Sequence, residues 1–315
     1  MSRLVRRSLL AASLLFAAGT VASAAGLLSI AMIARGSKDP FSRAVREGAL
    51  RASRDYGVAV TFEGPESEPR GDAQIALLGA ALEQKPSALC IDALDTNGVI
   101  PLLQKAQKAR IPVIAFGSGI ESPIPVTTAA TDNAAAAALA AYKLAALVGG
   151  SGKVGVLVDD QTRPASVDRG DGFITELSKR YPGIQVVGPG YTGGDQGKSS
   201  ELTKSMLQAD PDIRGFFGAD ENTALGIAKA VQELGMAGAV AIVGFDSGTA
   251  QAEAVRSGLI AGAVMQDPIR LGYKAVEAAV SVLRGMKVPR KIDTGFHWYD
   301  RENIDDPAIA ALLHP

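Results

Sequence analysis

The sequence predicts an α/β protein built on two doubly wound parallel sheets. Three observations carry this: short apolar runs rich in β-branched residues, segments of helical period between them, and a restart of the alternation midway. Continuous apolar runs suit strands buried on both faces, and interleaved helices supply the crossovers of parallel βαβ units.

The chain opens with Arg3, Arg6 and Arg7, an apolar run over 9–18, and the small-x-small site Ala22-Ser23-Ala24. That is the layout of a secretory signal cleaved after Ala24, and the apolar run is shorter than the roughly 20 residues a spanning helix needs. Strands are then expected over 27–34, 58–62, 88–93, 112–116, 154–158, 184–187, 215–219 and 240–244. Between them, Phe41, Ala44, Val45, Gly48, Ala49 and Ala52 keep one helical face, as do Ala224, Ile227, Ala228, Val231 and Leu234. A further helix is expected to begin at Gly170, just after Arg169, with Phe173, Ile174 and Leu177 toward the core. The first series ends at Phe116 in a loop holding Gly117, Gly119, Pro123 and Pro125, and a second begins near Asn133. Two similar halves imply two lobes.

Composition narrows the function. The chain is 47% hydrophobic and 21% charged with a formal net charge of −1, and nucleic acid would call for a basic face. Nothing after the signal approaches a membrane span, so a soluble exported protein is expected. Cys90 is the single cysteine and lies in an apolar run, so no internal disulfide forms and the thiol reads as a small buried hydrophobe. His297 and His314 are the only histidines, which disfavours a histidine-based metal or triad site.

In open α/β sheets ligands bind beyond the C-terminal ends of the strands. Those ends carry carboxylates: Asp39 after the first strand, Asp92 and Asp95 after the third, then Asp159-Asp160, Asp220-Glu221 and Asp246. Each alone could be a helix cap. Converging from two lobes, they suit a ligand that presents many hydroxyl donors, and the ring of Phe41 could cover an apolar sugar face. The phosphate-loop likeness over 193–199 fails because Thr192 stands where the first glycine is required, and Gly117-Ser118-Gly119 fails as a dinucleotide fingerprint at Ser122.

The ordered set 37–49, 111–116, Asp168-Arg169-Gly170-Asp171-Gly172-Phe173, 220–226, Val243-Gly244-Phe245-Asp246 and Met265-Gln266-Asp267-Pro268 resembles the periplasmic sugar-binding proteins of the ribose-binding type. The resemblance spans the mature chain. It implies the type I periplasmic binding fold: two Rossmann-like lobes joined by a three-crossing hinge near Thr131-Asp132, Gln266-Asp267 and Thr294. The lobes would be 25–131 plus 267–294 and 132–266 plus 295–315. It implies no catalysis, cofactor or metal, and a ligand set of Asp39, Phe41, Asp92, Ser118, Thr131, Asp160, Arg169, Asp220, Asp246 and Gln266. Arg169 is expected as the sole cation among these contacts. Gly117 and Ser118 stand where that family carries a sugar-gripping Asp-Arg pair, and Gly194 stands where its second-lobe aromatic would be; Tyr191 or Phe217 are the candidate replacements.

The implied function is capture of a neutral monosaccharide or polyol in the periplasm for an ABC permease in the inner membrane. The protein would act as a monomer, with a chemoreceptor as a further candidate partner. The alternatives are an exported glycoside hydrolase using a cleft carboxylate pair, and a sensor-type sugar-binding core. The latter lacks the helix-turn-helix headpiece a repressor needs.

Overall fold

The computed structural model describes residues 27–66 and 70–313. The expected signal segment lies outside them. The first half runs β1 (Ser29–Ile33), α1 (Pro40–Tyr56), β2 (Ala59–Glu63), α2 (Gly71–Glu83), β3 (Ala88–Ile91), α3 (Ile100–Lys108), β4 (Val113–Phe116) and β5 (Thr127–Ala130). The second runs α4 (Asn133–Leu147), β6 (Gly152–Val158), α5 (Pro164–Arg180), β7 (Ile184–Tyr191), α6 (Gln196–Ala209), β8 (Ile213–Gly218), α7 (Glu221–Glu233), β9 (Ala241–Phe245), α8 (Thr249–Ser257) and β10 (Gly262–Gln266). The chain then returns through α9 (Pro268–Leu283) and β11 (Lys291–Asp293) before ending in β12 (Phe296–Asp300) and α10 (Pro307–Ala310).

These strands form two six-stranded sheets with matching orders, β2-β1-β3-β4-β5-β11 and β7-β6-β8-β9-β10-β12. Pairing is parallel throughout, except that β12 runs antiparallel on β10. The first sheet takes β11 from late in the chain, so the polypeptide passes between sheets three times: after β5, after β10 and after β11. The predicted α/β class with two parallel sheets and three crossings is the architecture observed.

The continuous apolar runs do what strand geometry dictates. In β1 the side chains of Ile30 and Met32 enter the core beneath α1 and α9, while Ala31 and Ile33 enter the core beneath α2 and α3. The second sheet repeats the pattern, with Val154, Val156 and Val158 under α4 and α5, and Leu157 under α6 and α7. Cys90 is fully buried in the first of these layers, and burial pushes its thiol pKa up.

Glycines set the closest helix contacts. A Cβ on Gly48 of α1 would stand 1.8 Å from the Ile269 carbonyl oxygen, and one on Gly272 of α9 would stand 1.9 Å from that of Val45. The two backbones therefore touch where only glycine fits.

Two expectations need correction. Strands β5, β10, β11 and β12 were not foreseen. Thr127-Thr128-Ala129-Ala130 carries little apolar signal, and β11 and β12 are edge strands whose identity comes from their neighbours rather than their pattern. Helix α5 begins at Pro164, not Gly170, so Arg169 lies within its second turn. Proline fits the first helical turn because its missing N–H is unneeded there.

Candidate functional site

The C-terminal ends of both sheets face a common cavity of about 810 Å³, within the size range of small-molecule sites. Strand ends of both sheets deliver polar groups to it. From the first sheet come Arg35 after β1, Asp92 after β3 and Ser118 after β4, with Asp39 and Phe41 at the start of α1. From the second come Asp159 and Asp160 after β6, Asp220 after β8, Asp246 after β9 and Gln266 at the end of β10, while Arg163 stands just before α5 and α5 presents Ser166 and Arg169.

Local chemistry explains each position. Asp39 Oδ1 accepts from the Ser42 N–H at 2.8 Å, and Asp220 Oδ1 from the Thr223 N–H at 3.0 Å, so both are helix N-caps held at the cavity wall. Asp160 Oδ1 is engaged by its own loop, accepting from the N–H groups of Thr162 (2.6 Å) and Arg163 (3.0 Å). Asp92 is 5% exposed and accepts from the Ser118 N–H at 3.1 Å. Behind it the buried Gln74 donates to the carbonyl oxygens of Ala34 (2.9 Å) and Asp92 (2.7 Å), tying the ends of β1 and β3 together.

Arg169 is 7% exposed and held from several sides. Its Nε donates to Asn133 Oδ1 at 2.8 Å, its Nη1 donates to the Ala219 carbonyl at 2.8 Å and lies 3.5 Å from Asp246 Oδ2, and its guanidinium stacks 3.7 Å over the Phe245 ring. Its partners are thus not Asp168 or Asp171, the surface neighbours available to it in sequence. Asp246 sits at φ 74°, a left-handed conformation unusual for a non-glycine residue. Its carbonyl accepts from Gln251 Nε2 (2.8 Å) and the Tyr299 hydroxyl (3.0 Å), which fixes the turn. Its Oδ1 accepts from Gln266 Nε2 at 2.7 Å.

Of the ten sequence-derived candidates, nine line this cavity. The exception is Thr131, whose hydroxyl instead donates to Gln266 Oε1 at 3.1 Å behind the wall. Neither candidate aromatic of the second lobe reaches the cavity. Phe217 is buried and stacks on Phe173 with ring centroids 4.3 Å apart, and Tyr191 is absent from the lining. The aromatic faces lining the cavity, Phe41 and Phe116, both belong to the first lobe.

The expectation that Arg169 is the sole cation is overturned. Arg35, Lys38 and Arg163 line the same cavity, and lining carboxylates outnumber cations eight to four. Arg35 and Arg163 were missed because an arginine ending an apolar run, or preceding Pro164, reads as a strand end or helix punctuation. Arg163 Nη2 binds Asp159 Oδ2, and Ser166 Oγ donates to that same oxygen at 3.0 Å. Burial pushes Asp220 up to about 6, with the charge of Asp159 adding to the shift. Burial also raises Asp92, against the opposing pull of Arg35.

Among the described residues no cluster of His, Cys, Asp and Glu is arranged to hold a metal ion, and no helix is long and apolar enough to cross a membrane.

Comparisons with known proteins agree with this geometry. Residues 30–287 match the model of the periplasmic binding protein domain. The ribose import binding protein of Salmonella typhimurium is 27% identical over 263 residues, covering 84% of this chain and 87% of its own. A solved ABC transporter solute-binding protein of Agrobacterium vitis, bound to α-D-tagatopyranose, is 31% identical with a TM-score of 0.84, covering 91% of this chain and 99% of its own. A second from the same organism, with bound D-fucose, is 30% identical with a TM-score of 0.80, covering 91% and 100%. The chain belongs to the periplasmic binding protein domain family.

Proposed function

We propose that this protein captures a neutral monosaccharide or polyol between its lobes in the periplasm and delivers it to an ABC importer. The observation that carries the reading is the single cavity into which strand ends of both sheets deliver carboxylates and guanidinium groups. Hydroxyls are donors and acceptors at once, so a polyol satisfies both kinds of group, whereas an anion would meet an excess of carboxylates in a partly dry cleft. Solved relatives bound to D-tagatose and D-fucose lend support. Residues 1–24 act as the cleaved export signal, and the lobes are 25–131 plus 267–294 and 132–266 plus 295–315. The protein works as a monomer, and the three crossings form the hinge on which the lobes close.

A thermal-shift screen against pentoses, hexoses, alditols and inositols tests the reading, because a ligand that binds only the native state raises its apparent stability. Small-angle scattering with the best ligand should show a smaller radius of gyration on binding. An unchanged radius at saturation would count against hinge closure. Prolonged incubation with glycosides of that ligand should return them intact, whereas a hydrolase would cleave them.

A further inference from the structure

Two arginines bring unused donors into the cavity from opposite lobes. Arg35 follows β1, and Arg163 precedes α5. Among the described residues no hydrogen bond or ion pair holds the Arg35 guanidinium, and its Nε is buried without a partner. Arg163 spends Nη2 on Asp159 and on Ser166 Oγ (3.1 Å), yet its Nε is likewise buried and unpartnered. So is Asp159 Oδ1, an acceptor on the same wall. Buried polar atoms are nearly always satisfied in native proteins. Three orphans around one cavity, two donors and one acceptor, define what is missing from it.

We propose that Arg35 and Arg163 grip the ligand as a pair of cross-lobe donors, and that with Asp159 Oδ1 they select a neutral vicinal diol. This deepens the sugar-capture reading and rests on it. The acceptor decides the chemistry. A carboxylate or phosphate could serve both guanidinium groups, but it has no proton for Asp159 and would repel it. A hydroxyl serves all three, because its oxygen accepts from arginine while its hydrogen goes to the carboxylate. Two adjacent hydroxyls then reach a guanidinium from each lobe, so the grip forms only as the lobes meet. Burial disfavours the charge on Arg35 most, Arg163 and Arg169 add to that, and Asp92 and Asp159 offset it.

The test is calorimetric titration of the full mature chain with D-tagatose, D-fucose, D-arabinose, D-ribose, ribitol and myo-inositol. The aldonate or uronate of the best binder is included. Charge-assisted hydrogen bonds of the usual strength predict that Arg35→Ala and Arg163→Ala each weaken binding by about ten- to a hundredfold. The acidic derivative should bind more weakly than its neutral parent. Arg35→Lys and Arg163→Lys, which keep charge and bulk, should still lose about fivefold or more, because an ammonium cannot reproduce the fork. They decide the matter if an alanine variant fails to fold. Wild-type affinity in folded variants of both arginines overturns the diol grip and leaves the sugar-capture reading standing, whereas preference for the acid overturns both the diol grip and the neutrality of the captured ligand. Failure of the wild type to bind any of the neutral probes would sink both.

Discussion

Thr131 Oγ1 donates to Gln266 Oε1 at 3.1 Å, and these two residues stand where the chain first leaves one sheet and later returns to it. The same Gln266 amide donates through Nε2 to Asp246 Oδ1 at 2.7 Å. One side chain thus couples two crossings to a cavity carboxylate. Gln266→Ala should weaken ligand binding by about tenfold, since two hydrogen bonds of ordinary strength position Asp246 and the hinge. Gln266→Glu should do worse, because a carboxylate would face Asp246 Oδ1 directly. Titration calorimetry of both variants checks the order, and a glutamate variant that binds better than the alanine variant contradicts it.

A second prediction concerns Gly117, whose φ is +67°. A Cβ at this position would lie 2.3 Å from Asp92 Oδ2, so the Asp92 carboxylate occupies the room of a side chain at 117. Gly117→Ala must move Asp92 off the Ser118 N–H while straining a left-handed turn, a cost on the order of 1–3 kcal/mol. Binding should fall by about tenfold or more. Urea denaturation and titration of the variant test this, and wild-type affinity with wild-type stability would show that Asp92 relocates freely.

The strands buried on both faces were legible because their pattern is intrinsic: Ala88-Leu89-Cys90-Ile91 has no polar alternative. Strand β5 was not legible because Thr127 to Ala130 becomes a strand by pairing with β4 and β11, a fact of the sheet rather than the segment. The cavity divides the same way. Asp39 and Asp220 announce themselves as N-caps at strand ends, a local signal. Arg35 does not, because what distinguishes it is the absence of a partner for its buried Nε. Nor could spacing show that Phe217 turns toward Phe173 rather than the ligand, since a one-residue change of phase sends a strand side chain to the other face.

The pH dependence follows from Asp220. Burial holds its pKa at about 6, above the ordinary value near 3.9. The folded protein therefore holds this proton more tightly than the unfolded chain does. The corresponding stabilisation is full below about pH 4 and is lost as pH rises through about 6, amounting to roughly 3 kcal/mol at most. Asp220→Asn keeps an N-cap residue and removes the titration. The ligand-free variant should gain stability relative to wild type at pH 8 compared with pH 4, read from denaturant midpoints. Ligand binding by the wild type should weaken as pH falls below about 6, because a protonated Asp220 accepts less well. A stability difference that does not change with pH would refute the assignment.

The contact between α1 and α9 gives a stability prediction independent of ligand. A methyl on Gly272 would stand 1.9 Å from the Val45 carbonyl oxygen, and backbone cannot yield as a flexible side chain can. Gly272→Ala gains a few tenths to about 1 kcal/mol of helix propensity. It loses more, because overpacking of this kind costs about 1–3 kcal/mol and the helices must separate. The net sign is destabilising. Gly79 on α2, with nothing within 4 Å of an added Cβ, is the matched control, and Gly79→Ala should be neutral or stabilising. Equal effects at the two sites would show that the close approach relaxes at no cost.

Arg169 carries the last prediction, because structure and binding meet in it. Its Nε and Nη1 bind Asn133 and Ala219, fixing the start of α4 and the end of β8, while Nη2 makes no hydrogen bond among the described residues and is open to a ligand oxygen. Arg169→Ala therefore acts twice. It strands the buried Asn133 and Ala219 acceptors, each worth about 1–3 kcal/mol, and it removes the cation 3.5 Å from Asp246. Stability should fall by about 2–4 kcal/mol, and binding by ten- to a hundredfold. Arg169→Lys should recover only part of each, since a point charge cannot reach three partners in a plane. The two roles separate in the double variant. If Arg169 compensates Asp246, adding Asp246→Asn to Arg169→Ala removes a half-buried carboxylate that has lost its cation, and stability should partly return while binding does not. Denaturation and calorimetry of the four proteins complete the cycle. Strictly additive stability losses would mean that Arg169 and Asp246 are neighbours without being partners.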